Sequence, residues 1–262
     1  KFTKLVSHEH GGSWGIKGLH RLLHFFWAWS SSVVICNSKA AMIIMNKRVY
    51  SKAKLILIYN GVASQINYKK QKNNEKFQIL FAGRLEEVKG VRQLLLSLKE
   101  LKEKNILFEC NILGDGSLKD WIKFFIQQNK LSSDIYLKGV VKNVDDYMLN
   151  SDVLVLPSLR EPLGNVIIEA SRAGLPVVAS NVDGIKEIIK HKKSGILIDP
   201  IHPITSDNLP KFVVGPSDEL VQPMTLDSKK LSEELINCYE NPSMLSEYGK
   251  NAREMLSHLT IQ

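Results

Sequence analysis

Two basic residues five positions apart follow a short apolar run, and their chemistry suits a diphosphate. Gly83 and Arg84 come directly after the run, and Lys89 lies one helical turn further on. Arginine offers a planar fork of donors and lysine a compact positive charge, and both match phosphate oxygens. Gly83 has no side chain, so a ligand can approach the backbone closely. The segment predicts an anion site. The alternative interpretation is that the two cations are solvated or form ion pairs with Glu86 or Glu87.

A pair of carboxylates follows later in the chain, eight positions apart. Glu161 and Glu169 lie on either side of Gly164, Asn165 and Val166, where a turn leads into a helical pattern. Carboxylates accept hydrogen bonds from sugar hydroxyls, and backbone N–H groups at a helix start favour a phosphate. The pattern is typical of a site for a sugar and a ribose. The alternative is a capped helix with Glu169 on its solvated face.

Alternation of short apolar runs with longer helical patterns predicts a parallel α/β fold that positions these residues. A further tight turn, at Asp183 and Gly184, is explained by a structural role alone. We expect strands at 4–6, 33–36, 55–58, 78–82, 108–113, 135–137, 153–156, 176–179 and 195–198. We expect helices at 91–104, 118–129, 144–149, 166–173, 185–190 and 228–239.

The chain divides into two blocks at a basic, polar segment. Residues 64–76 have no apolar periodicity and predict a solvated linker between a block at 1–63 and a block at 77–262. Lysine and asparagine runs in linkers are usually solvated, so we expect no nucleic-acid partner. Residues 201–224 contain four of the nine prolines and predict an irregular surface insertion in the second block.

Composition places the chain among ordinary globular proteins. It has 262 residues, a formal net charge of +8, 44% hydrophobic residues and 24% charged residues. These values exclude disordered, collagenous and disulfide-stapled chains. The three cysteines have neither metal-ligand nor disulfide spacing, which indicates buried thiols in a reducing compartment. We therefore expect a cytoplasmic protein, with the inner face of the membrane as the alternative location.

The most apolar stretch, 22–35, is too short and too polar to span a bilayer because it contains His24 and three consecutive serines. Its aromatic residues lie near Lys17 and Arg21, so it suits peripheral contact with a membrane surface. The interpretation that we favour is a helix packed in the core.

Four motifs in order resemble the C-terminal domain of the retaining glycosyltransferases of family four, the glycosyl transferases group 1, which have the GT-B fold. They are G-R-x4-K-G at 83–90, L-G-D-G at 113–116, E-P-x-G-x4-E-A at 161–170 and A-G-x-P-V-V-A-S at 173–180. The likeness extends over 77–200, and 35–62 resembles the end of the family's N-terminal domain. It implies two Rossmann-like domains with parallel sheets, of which the N-terminal one is incomplete here. We expect such a piece to bind nucleotide and to transfer sugar poorly or not at all.

The resemblance also implies roles for single residues. Arg84 and Lys89 match the pair that holds the donor diphosphate, with Gly83 allowing its approach. Glu161 matches the carboxylate that contacts the transferred sugar, and Glu169 the one that binds the ribose hydroxyls.

Further positions match the rest of the donor site. In the N-terminal block, His10 is our choice for the histidine that faces the donor sugar, with His8 second. The remaining matches are a loop that faces sugar and phosphate and a loop under the nucleobase: Gly164, Asn165 and Val166, and Val141 and Lys142.

The implied activity is transfer of a sugar from a nucleotide diphosphate sugar to an acceptor hydroxyl, on a glycan or a lipid-linked acceptor, with retention of configuration. It implies neither a metal ion nor another cofactor. Two alternatives stay open: a non-catalytic nucleotide-sugar-binding module or subunit of a larger glycan synthase, and a nucleotide-sugar epimerase of the same fold. A nicotinamide oxidoreductase is disfavoured because no G-x-G-x-x-G follows the first apolar run.

Overall fold

A computed structural model describes residues 4–10, 26–27, 29–48, 53–63, 75–204, 209–256 and 260–261. Two parallel β-sheets with helices against them form the frame of these residues. The α/β class with parallel sheets is confirmed. The expected linker at 64–76 lies almost entirely outside the described residues, so the predicted division into 1–63 and 77–262 stays a prediction.

The first sheet contains three parallel strands in the order β1-β2-β3. Helix α1 follows β2 and packs on the sheet, where its small and aliphatic side chains form a core with β2. A two-residue strand, β4, follows β3 and pairs in parallel with the last strand of the chain. The bounds are β1 Val6–Glu9, β2 Val33–Cys36, α1 Lys39–Arg48, β3 Lys54–Leu57 and β4 Val62–Ala63.

The second sheet has six parallel strands in the order β10-β9-β8-β5-β6-β7. Numbered within this sheet alone the order is 3-2-1-4-5-6, the doubly wound arrangement in which strand order reverses between β5 and β8. The elements from β5 to β10 are β5 Phe77–Ala82, α2 Val91–Glu103, β6 Phe108–Leu113, α3 Lys119–Gln128, β7 Ile135–Gly139, α4 Val144–Leu149, β8 Val153–Leu156, α5 Asn165–Ala173, β9 Val177–Ser180, α6 Ile185–Ile188 and β10 Gly195–Ile198. A short 3-10 helix, Glu87–Lys89, precedes α2.

Helices cover both faces of the second sheet because its strands are apolar on both sides. Along β5, Ile79 and Phe81 face one core, and Leu80 and Ala82 face the other. The first core includes the buried side chains of α2 and α3, and the second those of α4, α5 and α6. Alternation at every position fixes the register of β5, because a slip of one residue would exchange the two faces.

The predicted surface insertion at 201–224 is more ordered than expected. It contains two short antiparallel pairs, β11 with β14 and β12 with β13. Val214 in β12 is fully buried and packs in the core of the first sheet and α1. The hairpin β12–β13 therefore belongs partly to the first block. The last bounds are β11 His202–Pro203, β12 Val213–Val214, β13 Leu220–Val221, β14 Met224–Thr225, α7 Ser228–Glu240, α8 Pro242–Met255 and β15 Thr260–Ile261.

Two expectations for the first block need correction. The first strand begins at Val6 and runs to Glu9, further on than the apolar run at 4–6. Phe26 and Trp29 are 54% and 57% exposed, so the interpretation of 22–35 as a core helix is wrong for these two side chains. No helix within the described ranges has the length and apolar character to cross a membrane.

Candidate functional site

The site lies where the strand order of the second sheet reverses, at the carboxyl ends of β5 and β8. Ligands of doubly wound folds bind at this point because neighbouring loops diverge there and leave a crevice. The loops after β5 and β8 line a cleft of about 580 Å³, together with residues from the first block. The cleft thus joins two motifs that lie more than 70 positions apart in the chain.

Eight of the eleven predicted site residues line this cleft. They are His10, Gly83, Arg84, Lys89, Glu161, Gly164, Asn165 and Val166. Val141, Lys142 and Glu169 are not among the described residues that line it. The positions of the eight agree with a shared site, while their roles stay predictions.

Lys89 and Glu161 form the central contact of the cleft. The Lys89 Nζ atom donates to Glu161 Oε2 at 2.5 Å, and both side chains are largely buried. Lys89 sits at the end of the 3-10 helix, which is followed by Gly90 in the left-handed region at φ +68°. A Cβ atom at Gly90 would lie 1.8 Å from the Pro157 carbonyl oxygen, so only glycine lets this turn pack against the end of β8.

The alternative pairing of the two cations with Glu86 or Glu87 is wrong. Glu86 accepts hydrogen bonds from Ser117, and Glu87 accepts from the Arg92 guanidinium. Hydrogen bonds from Ser117, and to a smaller extent the charge of Arg84, hold the pKa of Glu86 below its ordinary value.

Arg84 is exposed at the edge of the cleft. Its guanidinium forms no hydrogen bond or salt bridge with the part of the chain that the structure describes. Three basic side chains, Arg84, Lys89 and Arg160, face one carboxylate, Glu161, among the described lining residues. The charges of Asp183, Glu9 and Glu161 act on Arg160, and Lys89 is paired with Glu161. Among the described lining residues, the positive charge of Arg84 is therefore the one left to attract an anionic ligand.

Gly83 is open on its cleft side. A Cβ atom built there would meet only the Phe81 ring, at 3.7 Å, and its φ lies outside the left-handed region. The fold thus gives no steric or conformational reason for glycine at this position. Gly114 differs, since its φ is +125° and a Cβ atom would lie 1.9 Å from the Gly83 carbonyl oxygen.

The backbone of Glu161 is fixed by the turn that precedes α6. Its N–H donates to Asp183 Oδ2 at 2.9 Å, and its carbonyl accepts from the Gly184 N–H at 3.1 Å. A Cβ atom at Gly184 would lie 2.1 Å from the Pro162 carbonyl oxygen, so the two segments are in close backbone contact. The turn that we interpreted as structural therefore supports the predicted sugar-binding carboxylate.

Asp183 is fully buried, and its environment perturbs its acidity. Burial raises the pKa of Asp183 to about 7, although hydrogen bonds from the N–H groups of Val214 and Glu161 and the charge of Arg160 oppose the rise. Burial also lowers the pKa of Arg160, to about 10, so its guanidinium stays charged at neutral pH.

The first block contributes His10, Asn37 and Asn60 to the cleft. His10 follows β1 and Asn37 follows β2, so both lie at the carboxyl end of the first sheet. The His8 and His10 rings are in contact, with their centroids 3.8 Å apart and their planes tilted by 44°. Burial, followed by the neighbouring His10 charge, lowers the pKa of His8. The described lining of the cleft includes His10 and not His8, and which of them faces the donor sugar stays a prediction.

Side-chain hydrogen bonds join the blocks beside the cleft, and one of them runs from the Tyr59 hydroxyl to Glu187 Oε2 at 2.9 Å. Asn60 donates to Asn165 Oδ1 at 2.7 Å. The carboxylate of Glu187 accepts from the N–H groups of Lys39 and Ala40, at 2.8 and 2.9 Å, at the N-terminus of α1. A carboxylate there satisfies two orphan donors and complements the helix dipole.

Glu169 and the loop at Val141 and Lys142 lie outside the cleft lining. Glu169 is half-buried on α5, and burial raises its pKa. Val141 packs against the second core, whereas Val140 is 81% exposed. Their predicted contacts with ribose and base therefore require a ligand that extends beyond the cleft.

Sequence reasoning missed Arg160, Asn37, Asn60 and Asp183. A signal was available for the first two, because Arg160 directly precedes Glu161 and Asn37 follows a buried strand. No comparable signal marks Asn60 or Asp183, whose contacts depend on how the two blocks pack. The described residues contain no group of three His, Cys, Asp or Glu side chains placed to hold a metal ion.

Comparisons with known proteins found a matching family model and similar proteins. The family model described as "Glycosyl transferases group 1" matches residues 63–207. An uncharacterized glycosyltransferase of Methanocaldococcus jannaschii is 32% identical over 166 residues, which cover 57% of this chain and 42% of that protein. The chain spans about a third to a half of the length of three curated relatives that it matches, namely 42%, 33% and 48% of them.

Solved structures share the fold. Anabaena HepE in complex with UDP and glucose has a TM-score of 0.75 at 21% identity, covering 98% of this chain and 67% of that one. Sucrose-phosphate synthase from Thermosynechococcus elongatus has a TM-score of 0.77 at 18% identity, with 97% and 63% coverage. The likeness to these structures confirms the expected GT-B fold class.

Proposed function

Because this chain belongs to the glycosyl transferases group 1 family, we propose that its cleft binds a nucleotide diphosphate sugar and transfers the sugar to an acceptor hydroxyl with retention of configuration. The observation that carries the proposal is the charge arrangement at the reversal of strand order. Arg84 has no ionic partner among the described residues, and it lies beside the Lys89–Glu161 pair and the open backbone of Gly83.

Arg84 and Lys89 neutralise the diphosphate in this proposal. When the bond between the sugar and the diphosphate breaks, negative charge grows on the leaving phosphate. Donors already fixed in place stabilise that charge without reorganisation, and each is typically worth about a hundredfold or more in rate. The N-terminus of α5, at Asn165 and Val166, presents backbone N–H groups and a positive dipole end to the same cleft.

Glu161 positions the transferred sugar, since a carboxylate held by Lys89 accepts hydrogen bonds from sugar hydroxyls without becoming a free base. His10 faces the sugar from the first block. The acceptor oxygen forms the new bond to the anomeric carbon on the face from which the diphosphate leaves. The departing phosphate oxygen takes the proton of the acceptor hydroxyl, so charge and atoms balance without a metal ion or another cofactor.

The nucleoside lies beyond the cleft in this proposal, with Glu169 at the ribose and the loop of Val141 and Lys142 at the base. HepE contains UDP and glucose in its crystal structure, which makes UDP the first nucleotide to test here. We propose a glycan or lipid-linked acceptor and a cytoplasmic location. Exposed Phe26 and Trp29 are suited to peripheral contact with the membrane.

The first experiment measures binding of UDP, GDP and ADP to this chain by calorimetry. We expect one of them to bind, and the double variant Arg84→Ala with Lys89→Ala to weaken it at least about a hundredfold, because two charged hydrogen bonds of roughly 1.5–3 kcal/mol each contribute roughly 3–6 kcal/mol together. Lys99→Ala with Lys250→Ala removes the same charge from exposed ion pairs elsewhere and should leave the affinity unchanged. Equal affinity of both double variants would contradict the role of Arg84 and Lys89.

The second experiment follows a donor labelled in its sugar, in a form of the protein whose rate of transfer is measurable before substitution. Glu161→Gln should remove turnover and spare nucleotide binding, since the amide keeps the size of the side chain. Release of labelled product separates transfer from a non-catalytic binding module, and recovery of an epimeric nucleotide sugar would indicate the epimerase alternative. Unchanged turnover in Glu161→Gln would remove Glu161 from the mechanism.

A further inference from the structure

Asp183 combines two features that each cost free energy. It is fully buried, and it adopts φ +47°, in the left-handed region that residues other than glycine rarely occupy. A buried carboxylate needs hydrogen-bond partners to offset its desolvation. Residues held in such sparse backbone regions persist where the surrounding structure fixes them, and they cluster at functional sites.

The carboxylate of Asp183 connects two segments that are distant in sequence. Oδ2 accepts from the Glu161 N–H at 2.9 Å, and Oδ1 accepts from the Val214 N–H at 2.7 Å. The Asp183 N–H donates in turn to the Val214 carbonyl at 2.7 Å. One side chain thus holds the start of the cleft loop with one oxygen and the β12–β13 hairpin with the other.

The hairpin carries this connection into the first block. Val214 is buried in the core formed by β2 and α1, where its neighbours include Val34 and Ala40. On the other side, the Glu161 carboxylate accepts from Lys89 inside the cleft. A continuous path of packed and hydrogen-bonded groups therefore runs from the cleft to the first sheet.

We propose that Asp183 is a positioning residue that couples the Glu161 segment of the cleft to the β12–β13 hairpin, so that a ligand in the cleft stabilises the packing of the hairpin on the first block. The inference rests on the proposed function only for the identity of that ligand. Coupling of this kind is reciprocal, so hairpin packing also favours the ligand-binding position of Glu161.

Lys186 offers a matched control because it holds the same hairpin without touching Glu161. Its Nζ atom donates to the carbonyls of Gly215 and Pro216 and pairs with Asp218. Lys186→Met should loosen the hairpin tip alone. Asp183→Asn keeps side-chain size and tolerance of the left-handed region, but its amide nitrogen cannot accept a hydrogen bond, so one of the two N–H groups loses its acceptor.

The test is hydrogen exchange by mass spectrometry on the whole chain without ligand. In Asp183→Gly, which accepts the same φ and removes both acceptor oxygens, we expect exchange about tenfold faster in both 158–164 and 209–216, in line with the loss of a hydrogen bond to a charged group. In Lys186→Met only 209–216 should change. Faster exchange throughout the chain, or no change in one of the two segments, would overturn the positioning role. If Asp183→Gly does not fold, Asp183→Asn serves in its place: exchange should then rise in the segment whose N–H group loses its acceptor, and no change in either segment would overturn the positioning role.

A second arm adds the nucleoside diphosphate that binds to the parent chain. In the parent, the ligand should slow exchange in 158–164 and also in 209–216. In Asp183→Asn it should still bind and slow 158–164, and leave 209–216 unaffected. A parent hairpin that does not respond to bound ligand overturns the coupling and leaves the proposed function standing. Absence of binding by UDP, GDP and ADP contradicts the proposed function, while the ligand-free comparison still decides the role of Asp183.

Discussion

Replacing Gly83 by alanine tests whether glycine is required at this position for ligand binding or for folding. The new methyl group would lie 3.7 Å from the Phe81 ring, an ordinary van der Waals contact, and the backbone is outside the left-handed region. We therefore expect the variant to fold without loss of stability. A gain of about 0.4–1 kcal/mol is reasonable, because alanine restricts the unfolded chain.

The affinity of Gly83→Ala for a nucleoside diphosphate should fall, although its stability does not. Charged hydrogen bonds to phosphate oxygens need donor–acceptor distances near 2.8 Å, whereas a methyl carbon needs about 3.5 Å from an oxygen. A methyl group at Gly83 therefore pushes a diphosphate away from Arg84 and the backbone. Loss of one such hydrogen bond, worth roughly 1.5–3 kcal/mol, raises the dissociation constant about tenfold to a hundredfold.

Gly249→Ala is the control in which stability should fall and affinity should not change. A Cβ atom at Gly249 would lie 2.1 Å from the Gly174 carbonyl oxygen. Gly174 shortly precedes β9, so this contact lies at the amino ends of the strands, whereas the cleft lies at their carboxyl ends. Forcing the two backbones apart costs about 1–3 kcal/mol of stability, and the affinity of the folded fraction should not change.

Urea unfolding and calorimetry with the nucleoside diphosphate that binds to the parent measure both quantities on the three proteins. Affinity within a factor of about two of the parent for Gly83→Ala would refute the reasoning, because the ligand could not then approach the backbone at Gly83. Destabilisation of Gly83→Ala by more than about 1 kcal/mol would refute the structural half of the argument.

Three further outcomes follow from contacts around the cleft. Glu187→Ala should lower the free energy of unfolding by about 1–3 kcal/mol, because the N–H groups of Lys39 and Ala40 lose their acceptor. Glu187→Gln should lower it by less, and urea unfolding measures both variants. The folded pKa of Asp183, about 7, lies above its unfolded value, so the free energy of unfolding should fall by a few kcal/mol as pH rises from about 4 to about 7. Unfolding measured at several pH values should show this slope in the parent and not in Asp183→Asn. An equal slope in both proteins contradicts the prediction. Val214→Ala should cost about 1–3 kcal/mol by leaving a cavity in the first core, and a change below about 0.5 kcal/mol would contradict that packing.

Sequence predicted the second sheet well because its strands are buried on both faces. Runs such as 108–113, 153–156 and 195–198 have the observed bounds, since a continuous apolar run bounded by polar or glycine residues has little freedom of register. Helix α4 also has the predicted bounds, Val144–Leu149. In these elements local composition and tertiary burial agree.

Helix α1 had no counterpart among the predicted helices. Met42 and Ile43 face outward enough to be half-buried, while Ala40, Ala41 and Ile44 are buried. Apolar residues thus surround the helix and hide its period. The hairpin β12–β13 was missed for another reason: a proline-rich segment gives no strand pattern, and two-residue strands form only because the first block supplies the core that buries Val214.

The predicted site residues that reached the cleft all lie within two short loops or at one strand end, where position follows from the order of strands. Asp183 shows the limit of that reasoning. An aspartate before glycine predicts a tight turn, and the turn is indeed present, but its carboxylate also holds Glu161 and Val214. No local pattern records such a contact, since both partners offer only backbone N–H groups, which every residue other than proline has.

Because the cleft lies between the two blocks, substitutions that destabilise the first block should also weaken ligand binding. Glu161 is held from the second sheet by Gly184 and from the hairpin side through Asp183, while Asn165 is held from the first block by Asn60. Substitutions that loosen the first block, such as Val214→Ala, should therefore weaken ligand binding although Val214 does not line the cleft. Substitutions of equal energetic cost in α7, whose buried side chains belong to the core on the opposite face of the second sheet from α5 and α6, should leave the affinity of the folded protein unchanged. The comparison distinguishes a site carried by one sheet alone from a site that needs both blocks in place.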